Sequence, residues 1–266
     1  MTQTSKGTAL ITGASSGIGA IYADRLARQG YDLILVARNR TRLDALARRL
    51  TDETGRAIEV VDADLGNRDD LRRIEAVLKN DASITMLVNN AGLGATAPLL
   101  ESDIDKMDAM IALNVSALTR LTYAAVPGFV ARGGGTIVNI ASVVGIAPEL
   151  LNGVYGGSKA FVIAFSQSLH KELADKHIRI QAVLPGATRT DFWEIAGKPV
   201  EELPGEIVMR AEDMVDAALS GLAQGELLTI PALPDAADLD AFEAARRKLM
   251  PNLSRSAPAA RYHAAG

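Results

Sequence analysis

Short apolar runs alternate with amphipathic stretches along most of the chain. Seven apolar runs have the length and composition of strands, at residues 8–12, 32–37, 57–62, 85–89, 135–141, 178–184 and 226–230. Stretches with helical periodicity separate them, at residues 17–29, 40–53, 67–80, 103–132, 154–176 and 211–224. Alternating strands and helices are typical of a parallel sheet that is covered on both sides. The pattern therefore predicts an α/β fold with a doubly wound, seven-stranded parallel sheet and helices on both faces.

Two segments depart from this alternation. Residues 192–210 contain prolines, glycines and scattered apolar side chains, which is typical of a long loop. After Pro231 a helix is expected at 235–249, whereas residues 251–266 are rich in alanine, serine and proline and are expected to be flexible. We therefore predict one domain over residues 1–250, followed by a flexible C-terminal tail.

Composition narrows the possible functions. The 266 residues are 48% hydrophobic, enough for one large core, and their net charge of −4 argues against a nucleic-acid partner. The chain has no cysteine, and its three histidines are too far apart for a helical metal pair, so no metal site is predicted. Residues 1–7 are polar, and no apolar run approaches the ~18 residues of a membrane span. We expect a cytoplasmic protein without a membrane partner.

The segment TGASSGIG, residues 12–19, follows the first apolar run and precedes the first helix. Glycines let the backbone approach a ligand closely, and a helix N-terminus attracts anions. The spacing is G-x-x-x-G-x-G instead of the common G-x-G-x-x-G, although the mechanism is the same. The segment predicts a pyrophosphate site. The alternative is a glycine-rich turn that only lets the helix and strand pack closely.

Tyr155 and Lys159 are four residues apart, so a helix places the phenol and the ammonium on one face. A neighbouring positive charge favours the phenolate, and we therefore predict that Lys159 lowers the pKa of Tyr155. Such a phenol could act as an acid and base at neutral pH. Pairs of this kind also occur by chance on solvated helices, so the pair depends on the motifs around it.

Those motifs follow in one order: Asn89-Asn90-Ala91-Gly92, then Asn114, Ser142, and Pro185-Gly186 followed by Thr190. Together with the glycine loop and the Tyr155/Lys159 pair, they resemble the single-domain branch of the short-chain dehydrogenase/reductase family. The resemblance covers roughly residues 5–192. It implies a Rossmann fold, a nicotinamide cofactor and hydride transfer between that cofactor and a carbonyl or alcohol.

The catalytic residues follow from the charge that hydride transfer creates. Hydride arriving at a carbonyl carbon leaves negative charge on the oxygen, which needs a proton and a hydrogen-bond donor. Tyr155 is expected to give the proton, and Ser142 to donate to the same oxygen. The resemblance adds that Lys159 contacts the nicotinamide ribose and that Asn114 holds a water beside it. Alternatively, an asparagine inside a helix marks a local helix irregularity.

The end of the second predicted strand distinguishes NAD from NADP. An acidic residue there accepts hydrogen bonds from the ribose 2′-hydroxyl, whereas an arginine suits a 2′-phosphate. Here the strand ends in Ala37-Arg38 and offers no carboxylate. Arg38 can pair with a phosphate through two hydrogen bonds, so the predicted cofactor is NADP (NADPH). The alternative is a surface arginine at the opening of a helix.

The resemblance extends the cofactor site to further positions. Asp64 and Leu65 match the position that holds the adenine, although Asp64 could also cap a helix. Thr190 matches the residue that bonds the nicotinamide carboxamide, although it too could be a helix cap. The predicted cofactor-binding residues are Gly13, Ser15, Ser16, Gly17, Ile18, Gly19, Arg38, Asp64, Leu65, Asn90, Ala91, Gly92, Tyr155, Lys159, Pro185, Gly186, Thr188 and Thr190.

We therefore predict an NADP-dependent oxidoreductase that transfers a hydride between NADPH and a ketone or aldehyde, with secondary alcohol oxidation as the reverse reaction. A 3-oxoacyl reductase and a non-catalytic NADP-binding sensor are the alternatives. The four catalytic residues favour an enzyme, because a sensor needs no proton relay. Against a 3-oxoacyl-carrier-protein reductase, residues 227–231 lack the glycine-rich end that such reductases usually carry.

In the family, the segment matching residues 192–210 covers the substrate. Phe192, Trp193 and Ile195 either close over the substrate or pack as ordinary core. The remaining pocket residues expected from the sequence are mostly apolar and favour a largely apolar carbonyl compound. They are Leu93, Gly94, Val143, Glu149 and Leu151.

The resemblance also implies assembly. In the family, the helices matching 103–132 and 154–176 form a two-fold interface, and both carry broad apolar faces here. We therefore predict a homodimer or a homotetramer. The second interface of such tetramers uses the last strand, beyond which this chain continues through residues 231–266.

Overall fold

The computed structural model describes residues 6–262 and contains a central sheet of seven strands. These strands are β1 (Thr8–Thr12), β2 (Asp32–Ala37), β3 (Ile58–Asp62), β4 (Ile84–Asn89), β5 (Gly135–Ile140), β6 (Ile178–Val183) and β9 (Leu228–Thr229). Between β6 and β9, the short strands β7 (Thr188–Arg189) and β8 (Met209–Arg210) pair with each other. The spatial order of the sheet is β3-β2-β1-β4-β5-β6-β9, and every neighbouring pair is parallel. The predicted fold class is confirmed.

The helices occupy the gaps between the strands, with bounds within a few residues of those predicted. They are α1 (Gly17–Arg28), α2 (Arg40–Thr54), α3 (Arg68–Asn80), α4 (Ile104–Ile111), α5 (Leu118–Ala131), α6 (Gly153–Glu172), α7 (Phe192–Ile195), α8 (Ala211–Gln224) and α9 (Ala236–Lys248). Asparagine or aspartate side chains cap several of them and satisfy free backbone amides of the first turn. The last predicted strand is shorter than expected, since only Leu228 and Thr229 pair with β6.

Apolar side chains are buried on both faces of the sheet. In β1, Ile11 joins the cluster that includes Tyr22 of α1, whereas its neighbour Leu10 joins the cluster that includes Phe129 of α5. Tyr22 and Phe129 are the largest fully buried side chains. Because each central strand is covered on both faces, it reads in the sequence as a continuous apolar run.

The predicted single helix over 103–132 is interrupted. A π-helical segment, Ala112–Ala117, separates α4 from α5 and carries Asn114. The local irregularity that an asparagine in mid-helix indicated is therefore present, and such π turns are frequent at functional sites. By length and composition, the run Ile104–Ala131 would suffice to cross a membrane, but 44% of its most apolar window is buried in the protein. Core helices meet the same criterion, so the run alone carries little weight.

Aromatic rings cluster on the outer side of α5 and α6. Tyr123 is 68% exposed and stacks on Phe165 at 6.4 Å between ring centroids. Phe165 in turn stacks on Phe161 at 5.6 Å. These are the two helices for which the resemblance implies a two-fold interface, and that interface stays a prediction.

The chain divides into two compact units between Ala232 and Leu233. The division precedes α9, whereas the predicted domain of residues 1–250 includes that helix. Beyond α9, the second unit has 3₁₀ turns at Met250–Asn252 and Ala260–Tyr262, and all of its side chains from 251 to 262 are exposed. Residues 263–266 of the predicted tail lie outside the described residues.

Candidate active site

Thr12 joins the carboxyl ends of β1 and β4. Its hydroxyl oxygen accepts hydrogen bonds from the backbone amides of Asn90 and Ala91, both at 3.0 Å. The side-chain amide of Asn90 donates to the carbonyls of Thr12 at 2.8 Å and Gly13 at 3.2 Å. Asn90 and Ala91, predicted as cofactor-binding residues, thus hold the start of the glycine loop in place.

The glycine loop needs glycine for space as well as for conformation. Gly13 has a φ of 66°, and a Cβ there would lie 2.7 Å from Nδ2 of Asn90. A Cβ on Gly19 would lie 2.5 Å from the same Nδ2 and would also collide with the carbonyl of Gly13. Gly17 has a φ of 53° and faces Thr190, whose Cγ2 would lie 3.1 Å from a Cβ. The loop is therefore a close backbone cradle, packed against the segment after β4 as the packing alternative requires, and its pyrophosphate site stays a prediction.

The loop leads into the N-terminus of α1, and the surroundings suit an anion. Ser16 is the N-cap residue, its side chain makes no capping hydrogen bond, and the first turn contains no acidic residue. Ser15, Ser16, Gly17 and Ile18 are all partly exposed. A helix N-terminus without a competing carboxylate attracts phosphate through its amides and dipole. The residues present therefore fit the pyrophosphate of a dinucleotide.

Arg38 lies directly after β2 and differs from the two arginines that follow it. Arg40 pairs with two carboxylates, and Arg42 pairs with Asp191 at 3.1 Å. Among the described residues, Arg38 is exposed and makes no ion pair. Because Asn39 caps α2, Arg38 precedes that helix and does not open it. Its guanidinium is available to a phosphate at the end of β2.

The segment after β3 contains Asp64 and Leu65, which were predicted to hold the adenine. Asp64 does not cap α3, because Asn67 fills that position. The carboxylate of Asp64 instead accepts from the backbone amide of Gly66 at 2.9 Å. Leu65 is 6% exposed and lines a small cavity together with Asn89, whose Oδ1 is buried without a hydrogen-bond partner.

Ser142 and Tyr155 meet although they lie on different elements. Ser142 follows β5, and its hydroxyl donates to the carbonyl of Pro185 at 3.3 Å. Tyr155 lies in the first turn of α6. Asn152 caps this helix, and its side-chain oxygen accepts from the backbone amide of Tyr155 at 3.3 Å. The Ser142 hydroxyl is near enough to the phenol of Tyr155 to act on its pKa, and Tyr155 is 6% exposed. The predicted pair of donors for one carbonyl oxygen is thus brought together.

Lys159 lies one helical turn after Tyr155 in α6, and its side chain is close to the tyrosine ring. Its Nζ donates to the carbonyl of Ile140 at 2.9 Å and lies 5.8 Å from the ring centroid of Tyr155. A Cβ on Gly92 would lie 3.6 Å from this Nζ and 3.1 Å from Oδ1 of Asn114. Gly92 therefore borders both the lysine and the asparagine.

The predicted lowering of the pKa of Tyr155 is wrong for the protein chain by itself. Burial raises the pKa of Tyr155 to about 12, although the hydrogen bond with Ser142 opposes that shift. Burial also lowers the pKa of Lys159 to about 8. Desolvation disfavours the charged form of both groups, and it outweighs the attraction that the spacing of four residues suggested.

The side-chain amide of Asn114 makes three hydrogen bonds within the protein. Its Oδ1 accepts from the backbone amide of Leu93 at 2.8 Å, and its Nδ2 donates to the Leu93 carbonyl at 2.9 Å and to Ser158 at 3.1 Å. Ser158 donates in turn to the carbonyl of Tyr155 at 2.8 Å. Asn114 therefore ties the loop after β4 to the turn that carries Tyr155. Sequence reasoning missed Ser158. The water that Asn114 was predicted to hold stays a prediction.

The segment after β6 completes the edge of the site. Thr188 is buried and donates to the carbonyl of Gly186 at 3.2 Å. Thr190 accepts from the backbone amide of Phe192 at 3.4 Å, but Asp191 is the N-cap residue of α7, so the capping alternative for Thr190 is wrong. The segment thus connects the two parts of the site. Pro185 accepts the hydrogen bond from Ser142, and Thr190 faces Gly17 of the glycine loop.

The alternatives for the loop over 192–210 are resolved residue by residue. Trp193 packs as core, since it is 8% exposed and its Nε1 donates to the carbonyl of Thr188 at 3.0 Å. Phe192 covers Tyr155, with 5.8 Å between ring centroids. Ile195 is 69% exposed. The loop also contains short 3₁₀ turns at Val200–Glu202 and Gly205–Ile207.

Apolar side chains pack around Tyr155. A buried cluster contains Tyr155, and partly buried neighbours, Phe192 included, pack against it. The predicted Glu149 is exposed. Among residues 6–262, no group of three or more histidine, aspartate or glutamate side chains could hold a metal ion. The other apolar members of this cluster and its neighbours are Ala95, Met107, Met110, Val144, Leu93, Leu151 and Val154.

Comparisons of sequence agree with this arrangement. Residues 7–199 match the family model for short chain dehydrogenase. A very-long-chain 3-oxoacyl-CoA reductase of Anas platyrhynchos is 36% identical over 76% of this chain and 66% of its own length. This chain thus spans slightly less than two thirds of that relative. An uncharacterised oxidoreductase of Staphylococcus epidermidis is 33% identical over 84% of this chain and 94% of its own length.

Solved structures are more similar still. A short-chain dehydrogenase from Sphingobium yanoikuyae, in complex with NADPH, is 50% identical with a TM-score of 0.93, covering 96% of this chain and 99% of the other. The bulky-bulky ketone specific alcohol dehydrogenase from Comamonas testosteroni is 45% identical with a TM-score of 0.90, covering 98% of this chain and 100% of the other. The predicted cofactor is thus the one bound in the first of these structures.

Proposed function

Since this chain belongs to the short-chain dehydrogenase/reductase family, we propose that it is an NADPH-dependent oxidoreductase that reduces a largely apolar ketone or aldehyde. The reverse reaction is oxidation of the matching secondary alcohol. The observation that carries the proposal is the buried phenol of Tyr155, which adjoins Ser142, Lys159 and an apolar cluster. A carbonyl oxygen that enters from the apolar side meets two donors at one point.

The cofactor side supports NADPH in particular. The glycine loop and the N-terminus of α1 would hold the pyrophosphate, and the exposed Arg38 would pair with the 2′-phosphate. Lys159 and Thr190 would hold the nicotinamide end. Bound NADPH supplies the hydride. The Sphingobium yanoikuyae relative in complex with NADPH supports this assignment.

The protonation states favour the reductive direction. A pKa of about 12 keeps Tyr155 protonated at neutral pH, so it has a proton to give to the oxygen on which negative charge develops. Ser142 donates a second hydrogen bond to that oxygen and orients it. Alcohol oxidation requires the opposite, a deprotonated phenol, which burial disfavours. In that direction, an alkaline medium would compensate.

The substrate class follows from the surroundings of Tyr155. The cluster around it is built from methionine, valine, leucine and phenylalanine side chains. A binding site with such a lining suits apolar substituents on the carbonyl carbon. The relative from Comamonas testosteroni, which is specific for bulky-bulky ketones, supports a substrate with two large substituents.

Reduction of a 3-oxoacyl thioester is the second candidate. The observation that favours it is the similarity to very-long-chain 3-oxoacyl-CoA reductases, which are 36% and 34% identical in two species. A long acyl chain would also be compatible with an apolar site. The identity to two short-chain dehydrogenases of known structure, one of them the ketone-specific enzyme, is higher, at 50% and 45%, which is why the simple ketone ranks first.

A cofactor oxidation assay tests the proposal. The purified protein is supplied with NADPH or NADH and with an apolar ketone, an aldehyde, a 3-oxoacyl-CoA and a polar sugar ketone. We expect the highest kcat/KM for the apolar ketone with NADPH. A higher value for the 3-oxoacyl-CoA would select the second candidate. Tight NADPH binding without reduction of any carbonyl would contradict both and favour a sensor.

A further inference from the structure

We propose that Phe192, seated in the space left by Gly94, is a fixed aromatic wall of the substrate site that selects ketones with an aryl substituent. This inference rests on the proposed function and goes beyond it, because it names the side chain that recognises the substrate and the chemical class recognised. The aromatic wall means the Phe192 ring in this position.

The position of the Phe192 ring explains why residue 94 is a glycine. A Cβ on Gly94 would lie 2.5 Å from Cε2 and 3.0 Å from Cε1 of Phe192, and it would overlap Cζ. The φ of Gly94 is not in the left-handed region, so its backbone conformation is open to any residue. Space for the ring is therefore the reason for glycine at this position.

The ring is held from behind. Trp193 packs edge-on against Phe192 at 5.8 Å and is anchored by its hydrogen bond to the carbonyl of Thr188. At the other end of α7, the carbonyl of Ala196 accepts from both the backbone amide and the hydroxyl of Thr96, at 3.2 Å and 2.9 Å. Because Thr96 is only two residues from Gly94, the glycine and the ring are fixed to the same frame.

The aromatic wall lies next to the catalytic Tyr155. The rings of Phe192 and Tyr155 are 5.8 Å apart and tilted by 43°. A ketone whose oxygen reaches the Tyr155 hydroxyl therefore has one substituent beside the face of Phe192. An aryl group there gains offset or edge-on ring contacts that a saturated ring of the same size does not make, worth roughly two- to tenfold in kcat/KM.

Room for the second substituent lies on neighbouring loops. Asn152, which caps α6, donates to the carbonyl of Ala97 at 2.7 Å and to Ser102 at 3.0 Å. The 3₁₀ turn between those two residues carries Leu99 and Leu100, which are 82% and 94% exposed. Leu99 and Leu100 thus lie on a turn that is tied to the cap of α6, the helix that carries Tyr155, and we expect a large second substituent to cover them.

The test compares two ketones that differ only in aromaticity, phenyl methyl ketone and cyclohexyl methyl ketone. The variants are Phe192→Leu, Gly94→Ala and the double variant, with Phe242→Leu, an exposed phenylalanine of α9, as the matched control. We expect the phenyl-to-cyclohexyl ratio of kcat/KM to fall two- to tenfold in Phe192→Leu and to stay unchanged in Phe242→Leu. The Kd for NADPH should remain that of the wild type.

The double variant tests the contact between Gly94 and the Phe192 ring without any assay of activity. Gly94→Ala should lower the Tm of the wild type but have little effect on the Tm of Phe192→Leu, because the added methyl group then meets no ring. Equal destabilisation in both backgrounds would overturn the assignment of Gly94.

The remaining outcomes separate this inference from the proposed function. A wild-type protein that binds NADPH and reduces neither ketone would overturn the proposed function and the aryl preference with it. Reduction of both ketones with an unchanged ratio in Phe192→Leu would overturn the preference alone. A rise of kcat/KM for both ketones in that variant would show that the ring obstructs the site, which also contradicts a recognising wall.

Discussion

The two sides of Tyr155 are built by different means. On the cofactor side, the ends of β1 and β4 are joined through Thr12 and Asn90, and the glycine loop leaves no space for a methyl group at Gly13 or Gly19. On the substrate side, short turns and the four-residue α7 are held by a few hydrogen bonds, and large apolar side chains such as Leu100 are exposed.

This difference matches what each side has to recognise. A dinucleotide has one shape, so its site can be built from strand ends and close backbone contacts. Substrates differ from one relative to another, and loops on a rigid scaffold accommodate that variation. Substitutions on the cofactor side should therefore affect every reaction equally, whereas those on the substrate side should change the preference among substrates.

Tyr155→Phe, at the junction of the two sides, should have the largest effect. The ring and its packing remain, but the transferable proton is lost. We expect kcat to fall by about 10²- to 10⁴-fold, while the Kd for NADPH changes little. Steady-state kinetics and fluorescence titration measure the two quantities. Retention of a large fraction of the activity would mean that another group supplies the proton.

Gly19→Ala should damage the cofactor side alone. The new methyl group collides with the Gly13 carbonyl and the Asn90 amide, so the loop must shift. We expect the Kd for NADPH to rise roughly ten- to hundredfold and the free energy of unfolding to fall by ~1–3 kcal/mol. Gly157→Ala is the matched control, because a Cβ on Gly157 meets nothing within 4 Å. Similar losses in both variants would contradict the cradle.

Arg38→Asp should change the choice of cofactor and little else. The variant replaces the partner of the 2′-phosphate by a carboxylate that suits a ribose hydroxyl. We expect the ratio of kcat/KM with NADPH to that with NADH to fall at least about tenfold. Arg48→Asp, on the exposed side of α2, controls for the change in charge. Equal efficiency of both cofactors in the wild type would refute the NADP assignment.

The pKa of Lys159 predicts a smaller effect, visible in the pH dependence of binding. Burial lowers this pKa to about 8, so the side chain is an ammonium below that pH and a neutral amine above it. The ammonium has more donors for the cofactor. We expect the NADPH affinity to be constant up to about pH 8 and to fall several-fold above it. Lys159→Met should bind more weakly at every pH and show no such step.

The cofactor side could be predicted from the sequence because it depends on local pattern. Strands β1 and β2 begin and end where the apolar runs do, and the glycine loop and Arg38 directly follow them. Each of these features is specified within a few neighbouring residues. Only the contact of Asn90 with the loop is not local, because it requires β1 and β4 to be neighbours in the sheet.

The substrate side could not be predicted in the same way, since it depends on contacts between distant residues. Nothing near Gly94 indicates that the ring of Phe192 occupies its place, and nothing near Asn114 indicates its bond to Ser158. The predicted direction of the pKa shift of Tyr155 was wrong for the same reason. The spacing to Lys159 is visible in the sequence, but the burial that outweighs it is a property of the assembled site.

Thr96→Val should have the smallest effect, and it tests whether the substrate side is held by its few hydrogen bonds. The variant removes the bond from the hydroxyl to the Ala196 carbonyl at 2.9 Å but keeps the one from the backbone amide at 3.2 Å. Loss of one hydrogen bond of this kind predicts a rise in KM for the ketone of roughly two- to fivefold, with the Kd for NADPH unchanged. Thr51→Val, on the exposed face of α2, is the control. If KM does not move, or if the Kd for NADPH rises with it, the two sides do not respond independently and the contrast between them is lost.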